Sequence, residues 1–256
     1  MMPTFERRNQ IVQLIVQEGY VQSAKLAKQF QVSMETIRKD LLYLEEKGIV
    51  EKSFGGARLL KEDREQSLDV RLQNIDKKRQ LARTALQVLD DASIVFLDTG
   101  TSVQEVARLL YKVPSLTIVT NSLLVLDVLE GDQHEVFLTG GRRRAKNRSL
   151  IGNWSCEAIR SVHADVCFLG TSGLLDAEGP TAHSYHDLET KKHYISQSDR
   201  VYVLADSDKF KSGGVHTICP WSAIDAILTD SELPLNLYKK YRKKVPIIMA
   251  QEDRNE

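Results

Sequence analysis

The sequence predicts an α/β protein that begins with a winged helix-turn-helix. Residues 1–58 combine short amphipathic helices with a glycine-ended hairpin, whereas short apolar runs alternate with helical patterns from residue 92 onward. This change of pattern, in a chain of 256 residues, favours two domains. We expect a first domain over residues 1–58, a linker over 59–75 and an α/β domain over 76–250.

The first domain is predicted to contain two helices, a tight turn and a third helix. Ser23 and Ser33 each stand where an N-cap is expected, and the helix after Ser33 runs from Met34 to Glu46. The positions at i, i+4 and i+7 that predict the buried face of that helix are Ile37, Leu41 and Leu44.

The opposite face of this third helix begins with polar and cationic side chains. A helix that follows a short turn in this way can place its first exposed residues in the major groove of DNA. The next segment, residues 49–58, suits a hairpin wing with a cation on each arm. The residues that we predict to bind DNA are Ser33, Glu35, Thr36, Arg38, Lys39, Lys52, Gly55, Gly56 and Arg58.

Net charge supports double-stranded DNA as the partner only modestly. Residues 1–61 hold ten Lys and Arg against seven Asp and Glu, a net charge of +3, and the whole chain is neutral. A small helical dimerisation or peptide-binding module is the alternative. The coincidence of serine caps, a basic helix face and a basic wing favours DNA binding. The small net charge does not suggest a protein that coats nucleic acid independently of sequence.

Composition limits the class of protein. No apolar run approaches the roughly 18–20 residues that cross a membrane, and the first residues lack a signal-peptide core, so we expect a cytoplasmic protein without membrane contact. Cys156, Cys167 and Cys219 are isolated and never in CxxC spacing, which is typical of small buried hydrophobic residues rather than ligands or disulfides.

The second domain is predicted to be a parallel sheet covered on both faces, because its strands are continuously apolar and are separated by helices. A helix over about 75–89 leads into it. The predicted strands are Ile94–Leu97, Leu116–Thr120, Val136–Leu138, Val166–Leu169, Val201–Leu204, Ala226–Thr229 and Pro246–Met249. Helices between them include Val103–Tyr111, Leu123–Leu129, Leu150–Val162 and Leu188–Ser198. Ligands of such sheets bind beyond the carboxyl ends of the strands.

One strand end carries the sharpest signal for a ligand. In Asp98–Thr99–Gly100–Thr101–Ser102, the glycine permits a positive φ, and Ser102 with Glu105 has the spacing of a capping box, which predicts a helix N-terminus. Free N–H groups and the positive end of a helix favour phosphate. The alternative is an ordinary capped turn. The segment is neither a Walker A loop nor a GxGxxG fingerprint, so we expect no nucleotide cofactor.

Further strand ends carry small or hydrogen-bonding residues and are expected to line the same pocket. Lys209 adds a cation that suits a phosphate or a sugar hydroxyl, although a solvated loop lysine is the alternative. The predicted effector-binding residues beyond 98–102 are Thr120, Asn121, Ser122, Gly140, Gly141, Thr171, Lys191, Asp206 and Lys209.

Two further clusters of polar residues each have more than one interpretation. The basic run of residues 142–148 suits phosphate capture or a DNA-facing patch, but a solvated loop is favoured for most of its side chains. A metal site is one interpretation of the second cluster, which consists of His183, His186, Asp187 and His193. However, Pro180 and Ser184–Tyr185 suggest a loop, and no third ligand has the spacing characteristic of a metal site. We expect no metal there and favour a substrate-facing loop.

The chain resembles DeoR/GlpR-type repressors over roughly residues 5–230. The N-terminal matches are Glu6–Arg7, Val32–Ser33, residues 36–41, Leu44–Glu45, Gly48 and residues 55–57. The C-terminal matches are residues 96–101, 120–122, 139–141, 204–210 and 228–230. This resemblance implies a Rossmann-like sensor domain related to ribose-5-phosphate isomerase and glucosamine-6-phosphate deaminase, a phosphorylated sugar as effector, and a homo-oligomer (dimer or tetramer). Lys191 aligns with a frequent lysine of the family.

Two functions follow as alternatives. One is a transcriptional regulator, expected to be a repressor of a carbohydrate-utilisation operon that a phosphorylated sugar releases from its operator. The other is an active sugar-phosphate isomerase or deaminase, which would need a carboxylate base poised over a C–H bond. Asp98, Asp176, Asp187 and Glu189 are available, but they form no recognisable motif. Since the helix-turn-helix gives ligand binding a different purpose, we favour the regulator and expect no catalytic residues.

Overall fold

The computed structural model describes residues 2–46, 49–59, 73–129, 131 and 133–251. The chain divides into two compact units, Met1–Glu65 and Gln66–Glu256. Most of the predicted linker, residues 60–72, lies outside the described residues, as do Gly48 and most of the polar tail after Ala250. The domain boundaries therefore stay predictions.

The first unit contains the predicted helices and hairpin. The helices are α1 (Thr4–Glu18), α2 (Ser23–Phe30) and α3 (Met34–Glu46), and the strands are β1 (Tyr20–Gln22), β2 (Val50–Ser53) and β3 (Gly56–Leu59). The hairpin pairs β2 with β3, with Ser53 opposite Gly56. Strand β1, which the sequence pattern does not indicate, adds to β3 in antiparallel fashion and extends the wing to three strands in the order β1-β3-β2.

The core of this unit forms where the predicted faces meet. Ile11 and Ile15 of α1, Leu26 of α2, and Ile37 and Leu41 of α3 are all buried. The predicted buried face of α3 is confirmed. The predicted cap of α2 is wrong: its first helical residue is Ser23 itself, the residue before it is Gln22, and no side chain caps the helix. The serine joins the helix because the preceding β1 already fixes the extended backbone at Gln22.

In the second unit the described residues form a sheet of seven parallel strands. They are β4 (Ile94–Leu97), β5 (Thr117–Thr120), β6 (Glu135–Leu138), β9 (Ala164–Gly170), β11 (Ser198–Leu204), β13 (Ala226–Thr229) and β14 (Ile247–Met249). Their order is β14-β13-β11-β9-β4-β5-β6, and all neighbours are parallel. The prediction of a parallel sheet built from these seven segments is confirmed, with small shifts at strand ends.

Helices cover both faces of this sheet, as predicted. They are α4 (Ile75–Leu86), α5 (Thr101–Ala107), α6 (Leu123–Leu129), α7 (Asn153–Arg160), α8 (Tyr185–Ser196) and α9 (Leu235–Tyr241). One buried cluster packs α4, α5 and α6 against one face through Leu81, Val103 and Val125. A second cluster packs α7, α8 and α9 against the other face.

One predicted helix starts too early. Residues Ser149–Ile151 form strand β8, which pairs with β7 (Arg142–Arg144) in an antiparallel hairpin, and only then does α7 begin. Gly152 separates strand from helix with φ 97°, a conformation that side chains rarely adopt. A second antiparallel pair joins β10 (Thr181–Ala182) to β12 (His216–Thr217). Within the described part of the chain, no helix is long and apolar enough to cross a membrane.

Candidate nucleic-acid interface and candidate effector site

The start of α3 presents the predicted DNA-contacting side chains to solvent. Ser33 caps the helix, since its Oγ accepts a hydrogen bond from the backbone N–H of Thr36 at 3.1 Å. Glu35, Arg38 and Lys39 are exposed in the first turns of the helix. The apolar Met34 is exposed as well, and Thr36 is half-buried. The predicted cap and the polar face are therefore confirmed, whereas contact with DNA stays a prediction for each residue.

A buried charge cluster fixes the orientation of α3. Asp40 accepts hydrogen bonds from Arg7 Nε at 2.6 Å and Arg8 Nε at 2.8 Å, and the guanidinium of Arg8 lies 3.8 Å from the ring centre of Tyr43. Both arginines come from α1, so the cluster holds α1 against the back of α3. A buried carboxylate requires such partners because its desolvation is costly. In the sequence the sole signal is a charge at Asp40, one position before the apolar Leu41.

The two cations of the wing have partners within the unit. Lys52 Nζ lies 2.9 Å from Glu45 Oε2, and Arg58 lies 3.0 Å from Glu51 Oε2. The hydrogen bond from Lys52 lowers the pKa of Glu45. Solvent-accessible pairs of this kind contribute little to stability. Close packing requires a glycine at position 56, because a Cβ there would lie 2.3 Å from the carbonyl oxygen of Val21.

The sheet of the second unit reverses its direction of growth between β4 and β9. From β4 the chain adds β5 and β6 on one side, and then β9, β11, β13 and β14 on the other. At such a switch point the loops after the two central strands separate and leave a crevice for a ligand. Asp98 follows β4 directly, and Gly170 ends β9, so both residues lie at the switch point.

A buried ion pair occupies this switch point. Lys191, from α8, pairs with Asp98 Oδ2 and donates a second hydrogen bond to the carbonyl oxygen of Gly170 at 2.9 Å. Asp98 Oδ2 also accepts from the N–H of Gly170 at 2.9 Å. Asp98 is 1% and Lys191 5% exposed, and Asp98 Oδ1 is buried without a hydrogen-bond partner among the described residues. Lys191 is therefore a buried lysine, although lysines in the first turns of helices are often on the surface.

The end of β5 contributes a second set of buried polar groups. Asn121 donates from Nδ2 to the carbonyl oxygen of Leu150 at 2.9 Å, and its Oδ1 accepts from the hydroxyl of Tyr194 at 3.1 Å. Burial raises the pKa of Tyr194 well above its ordinary range, which keeps the hydroxyl protonated as a donor. Thr120 and Ser122 are fully buried. Thr120 Oγ1 donates to the carbonyl oxygen of Leu97 in β4 at 2.6 Å and accepts from the N–H of Ser122 at 3.0 Å. These residues stand at the end of β5 as predicted, and their part in effector binding stays a prediction.

The basic run after Gly141 is only partly a solvated loop. Arg142 and Arg143 are exposed, whereas Arg144 and Asn147 are buried. Asn147 Nδ2 donates to Asp187 Oδ1 at 3.1 Å, and Arg144 lies 3.6 Å from Asp187 Oδ2. Asp187 is in the first turn of α8, not in the predicted loop. The hairpin β7–β8 is therefore joined to the helix that carries Lys191, a contact that sequence spacing does not indicate.

The segment after Asp98 has the predicted glycine conformation but not the predicted cap. Gly100 has φ 138°, and α5 begins at Thr101, so Ser102 lies inside the helix and forms no capping box. Glu105 instead pairs with Arg108 at 3.0 Å and lies 3.8 Å from Arg79. Thr99 and Thr101 are buried.

The other predicted effector residues follow the carboxyl ends of strands β6, β9 and β11, and they differ in how deeply they are buried. Asp206 Oδ1 accepts from the N–H of Asp208 at 3.2 Å, and Lys209 is half-buried in the same short 3-10 turn. The hydroxyl of Thr171 donates to the carbonyl oxygen of Thr181 at 3.0 Å. Gly140 and Gly141 follow β6 with φ 71° and 114°. The role of Thr171, Asp206 and Lys209 in effector binding stays a prediction.

No group of three or more His, Cys, Asp or Glu residues able to hold a metal occurs in the described ranges. Of the carboxylates considered for catalysis, Asp176 is exposed and lies 3.5 Å from Lys240, and Glu189 accepts from the hydroxyl of Tyr185 at 2.8 Å. Asp98 is held by Lys191 and Asp187 by Asn147, so each of these groups has a structural partner.

Comparison with known proteins identifies both units. Residues 7–63 match the DeoR-like helix-turn-helix domain, and residues 73–231 match the DeoR C-terminal sensor domain. The chain is 31% identical over 256 residues to the putative aga operon transcriptional repressor of Escherichia coli O157:H7, covering 97% of this chain and 95% of that protein. It is 31% identical over 239 residues to the glycerol-3-phosphate regulon repressor of Escherichia coli K12, with coverages of 92% and 94%.

Among solved structures, ribose-5-phosphate isomerase A from Methanocaldococcus jannaschii aligns with 54% of this chain and 55% of its own, at 14% identity and a TM-score of 0.41. A likeness of that size carries no conclusion about ligand or chemistry. The two matched domains together span most of the chain, and they follow one another in the same order as the winged helix and the parallel sheet. The chain belongs to the DeoR family of transcriptional regulators, which act by binding DNA and are not enzymes.

Proposed function

We propose that this protein is the repressor of a carbohydrate-utilisation operon, and that a phosphorylated sugar bound at the switch point of the sheet releases it from its operator. The observation that carries this proposal is the Asp98–Lys191 pair with its unpartnered Asp98 Oδ1. A buried carboxylate oxygen without a donor is costly. A ligand hydroxyl that donates to Oδ1 would remove this cost in the bound state.

The same geometry separates the two ends of the ligand. The sugar hydroxyls belong at Asp98, since a phosphate would be repelled by its carboxylate. The phosphate belongs at the backbone N–H groups of residues 100–102, because they lie at the N-terminal end of α5, where the helix dipole favours an anion. Lys191 already balances Asp98, so Lys209 is the predicted residue that adds positive charge near the phosphate. The expected set of ligand contacts also includes Asn121 and Gly140–Gly141.

The names of the relatives support a phosphorylated carbon compound as effector. One matched protein is named for the glycerol-3-phosphate regulon and another for the aga operon. Each name describes that protein alone, and the difference between them gives no preference for one sugar phosphate here.

Helix α4 offers a route from the effector site to the DNA-binding unit, because it is the first described helix after residues 60–72. Lys77 Nζ donates to Ser207 Oγ at 2.9 Å and pairs with Glu232 at 3.2 Å. Asn74 Nδ2 donates to Asp208 Oδ2 at 2.8 Å. Movement of the turn that carries Asp206 and Lys209 would therefore act directly on α4.

The route is tested with Lys77→Met in the full chain. We expect this variant to retain effector binding, because Lys77 is not in the proposed pocket, but to release DNA less on adding effector. Arg83→Met, on the same helix, serves as the control. Equal release by Lys77→Met and the wild type would exclude this route.

A homo-oligomer, dimer or tetramer, is part of the proposal. One helix-and-wing unit makes few contacts, and two half-sites separated by whole turns of about 34–36 Å restore affinity and specificity. Light scattering at micromolar concentration, combined with the stoichiometry on DNA, tests it. A monomer that binds one chain per site would contradict it.

The whole proposal is tested in two steps. First, full-length protein selects its preferred duplex from a pool of random sequence. Second, thermal-shift measurements compare phosphorylated sugars and glycerol 3-phosphate with their unphosphorylated counterparts, and the active compounds are added to the protein–DNA complex. A ligand at 100 times its Kd stabilises the protein by about 2.7 kcal/mol. We expect a phosphorylated compound alone to shift the melting temperature and to weaken DNA binding about 5–150-fold. Equal effects of both forms would contradict the phosphate assignment.

A further inference from the structure

The tip of the wing carries an aromatic side chain that the fold leaves in water. Phe54 is 106% exposed, more than any other large hydrophobic residue of the described chain. It occupies one of the two positions between β2 and β3, where turn residues are usually Gly, Asn, Asp or Ser. Gly55, with φ 80°, meets the need of this turn for a left-handed residue. The turn itself therefore gives no reason for a phenylalanine.

The backbone under Phe54 is held in place. Its carbonyl oxygen accepts a hydrogen bond from the hydroxyl of Tyr20 at 3.1 Å, and the carbonyl oxygen of Gly55 accepts from the N–H of Ser23 at 2.8 Å. Both carbonyls of the turn are thus tied to β1 and the start of α2. Strand β2 is tied to α3, the predicted recognition helix, because the N–H of Lys52 donates to Glu45 Oε1 at 3.1 Å. The ring is presented on a fixed support.

The chemistry of the wing points to DNA as the partner of this ring. Lys52 and Arg58 have carboxylate partners, so the charge of the wing is partly neutralised at the arms. What remains at the apex is an apolar ring on a module whose family binds DNA. Apolar side chains such as Phe enter the minor groove and wedge between base steps, and they favour pyrimidine–purine steps that unstack easily.

We propose that Phe54 enters the minor groove beside the recognition helix and acts as an apolar wedge that selects a deformable TA or CA/TG step. It thereby reads the operator through its shape, at a position without base-specific hydrogen bonds. This proposal rests on DNA binding by the family and is independent of the effector assignment.

The test uses the full chain and the duplex that the wild type selects from a random pool. The variants are Phe54→Ser, Phe54→Leu as the apolar replacement, and Tyr111→Ser as a matched control that removes another aromatic, 60% exposed and outside the first unit. We expect Phe54→Ser to bind about 10-fold more weakly, with an unchanged salt slope because no charge is lost. Phe54→Leu should retain most of the affinity, and Tyr111→Ser all of it.

Two readouts assign the loss to the minor groove. Replacing G·C by inosine·C near the wing position removes only the amino group of the minor groove, so it should change wild-type affinity and leave Phe54→Ser unchanged. Energy transfer between dyes at the two duplex ends should show a smaller bend with Phe54→Ser. The proposal is overturned if Phe54→Ser matches the wild type in affinity and step preference. It is also overturned if light scattering shows that Phe54→Ser forms a smaller oligomer and this change accounts for the whole loss of affinity. The ring would then contact a second copy of the protein and not DNA.

Discussion

The two units place their predicted functional residues in opposite environments. In the DNA-binding unit Arg38, Lys39 and Phe54 are exposed on a support whose own charges, such as Asp40, are buried behind it. In the sensor unit Asp98 and Lys191 are themselves buried. Contact with the grooves of DNA requires side chains that project from the surface, whereas binding of a small ligand requires side chains that converge on one point. We therefore expect changes in the first unit to affect binding more than stability, and changes in the second unit to affect both.

The largest expected effect comes from Lys191→Met. This change leaves Asp98 as an uncompensated buried charge, for which the cost in the free energy of unfolding is about 3–5 kcal/mol. Chemical denaturation followed by tryptophan fluorescence measures it specifically, because Trp154 and Trp221 both lie in the sensor unit. Lys192→Met, the neighbouring lysine, is the control. A loss below about 1 kcal/mol would mean that the pair is not buried as described.

Removing the two exposed cations of the recognition helix is expected to act on binding alone. Arg38→Ala together with Lys39→Ala should weaken binding to the selected duplex by about 1–3 kcal/mol for each base-reading contact, with the melting temperature unchanged. The control is Lys239→Ala with Lys243→Ala, two exposed cations of the sensor unit outside the basic run of residues 142–148. Unchanged affinity of the recognition-helix variant would refute the docking of α3 in the major groove.

An intermediate effect is expected from Gly100→Val. A φ of 138° strains a β-branched residue by about 1–3 kcal/mol and displaces the N–H groups proposed for the phosphate. We expect the effector response to disappear while DNA binding remains. Gly131→Val, at φ 81° with no neighbour within 4 Å, carries similar strain at another place and is the control. A preserved response in Gly100→Val would place the phosphate elsewhere.

The smallest effect is expected from Lys52→Gln on the wing. Because Lys52 already pairs with Glu45, exchanging that partner for a phosphate gains little free energy. Its neutralisation should reduce the slope of log K against log salt concentration by about one unit and weaken binding similarly for all sequences. Lys112→Gln is the control. A change in sequence preference would indicate instead that Lys52 contacts a base.

The predictions from sequence succeed where neighbours in the chain determine the structure. The cap at Ser33, the buried face of α3 and the apolar strands follow from spacing within about ten residues, and all three are present. The predictions fail where contacts arrive from elsewhere. Strand β1 forms because β3 offers it a partner, and Ser149–Ile151 is a strand because β7 pairs with it. Hydrophobic periodicity contains no information about either partner.

By itself, the sequence determines that this protein joins a winged helix-turn-helix to a parallel α/β domain, and it determines which strand ends carry polar residues. Only the tertiary structure decides which of those residues meet. Asp98 and Lys191 are 93 residues apart, and their pairing depends on β9 lying beside β4 with α8 packed over the crevice. The reason is physical: local patterns fix backbone conformation, but the order of strands follows from how the helices cover both faces of the sheet. That order brings a carboxylate, a lysine and a glycine of distant segments to one buried point.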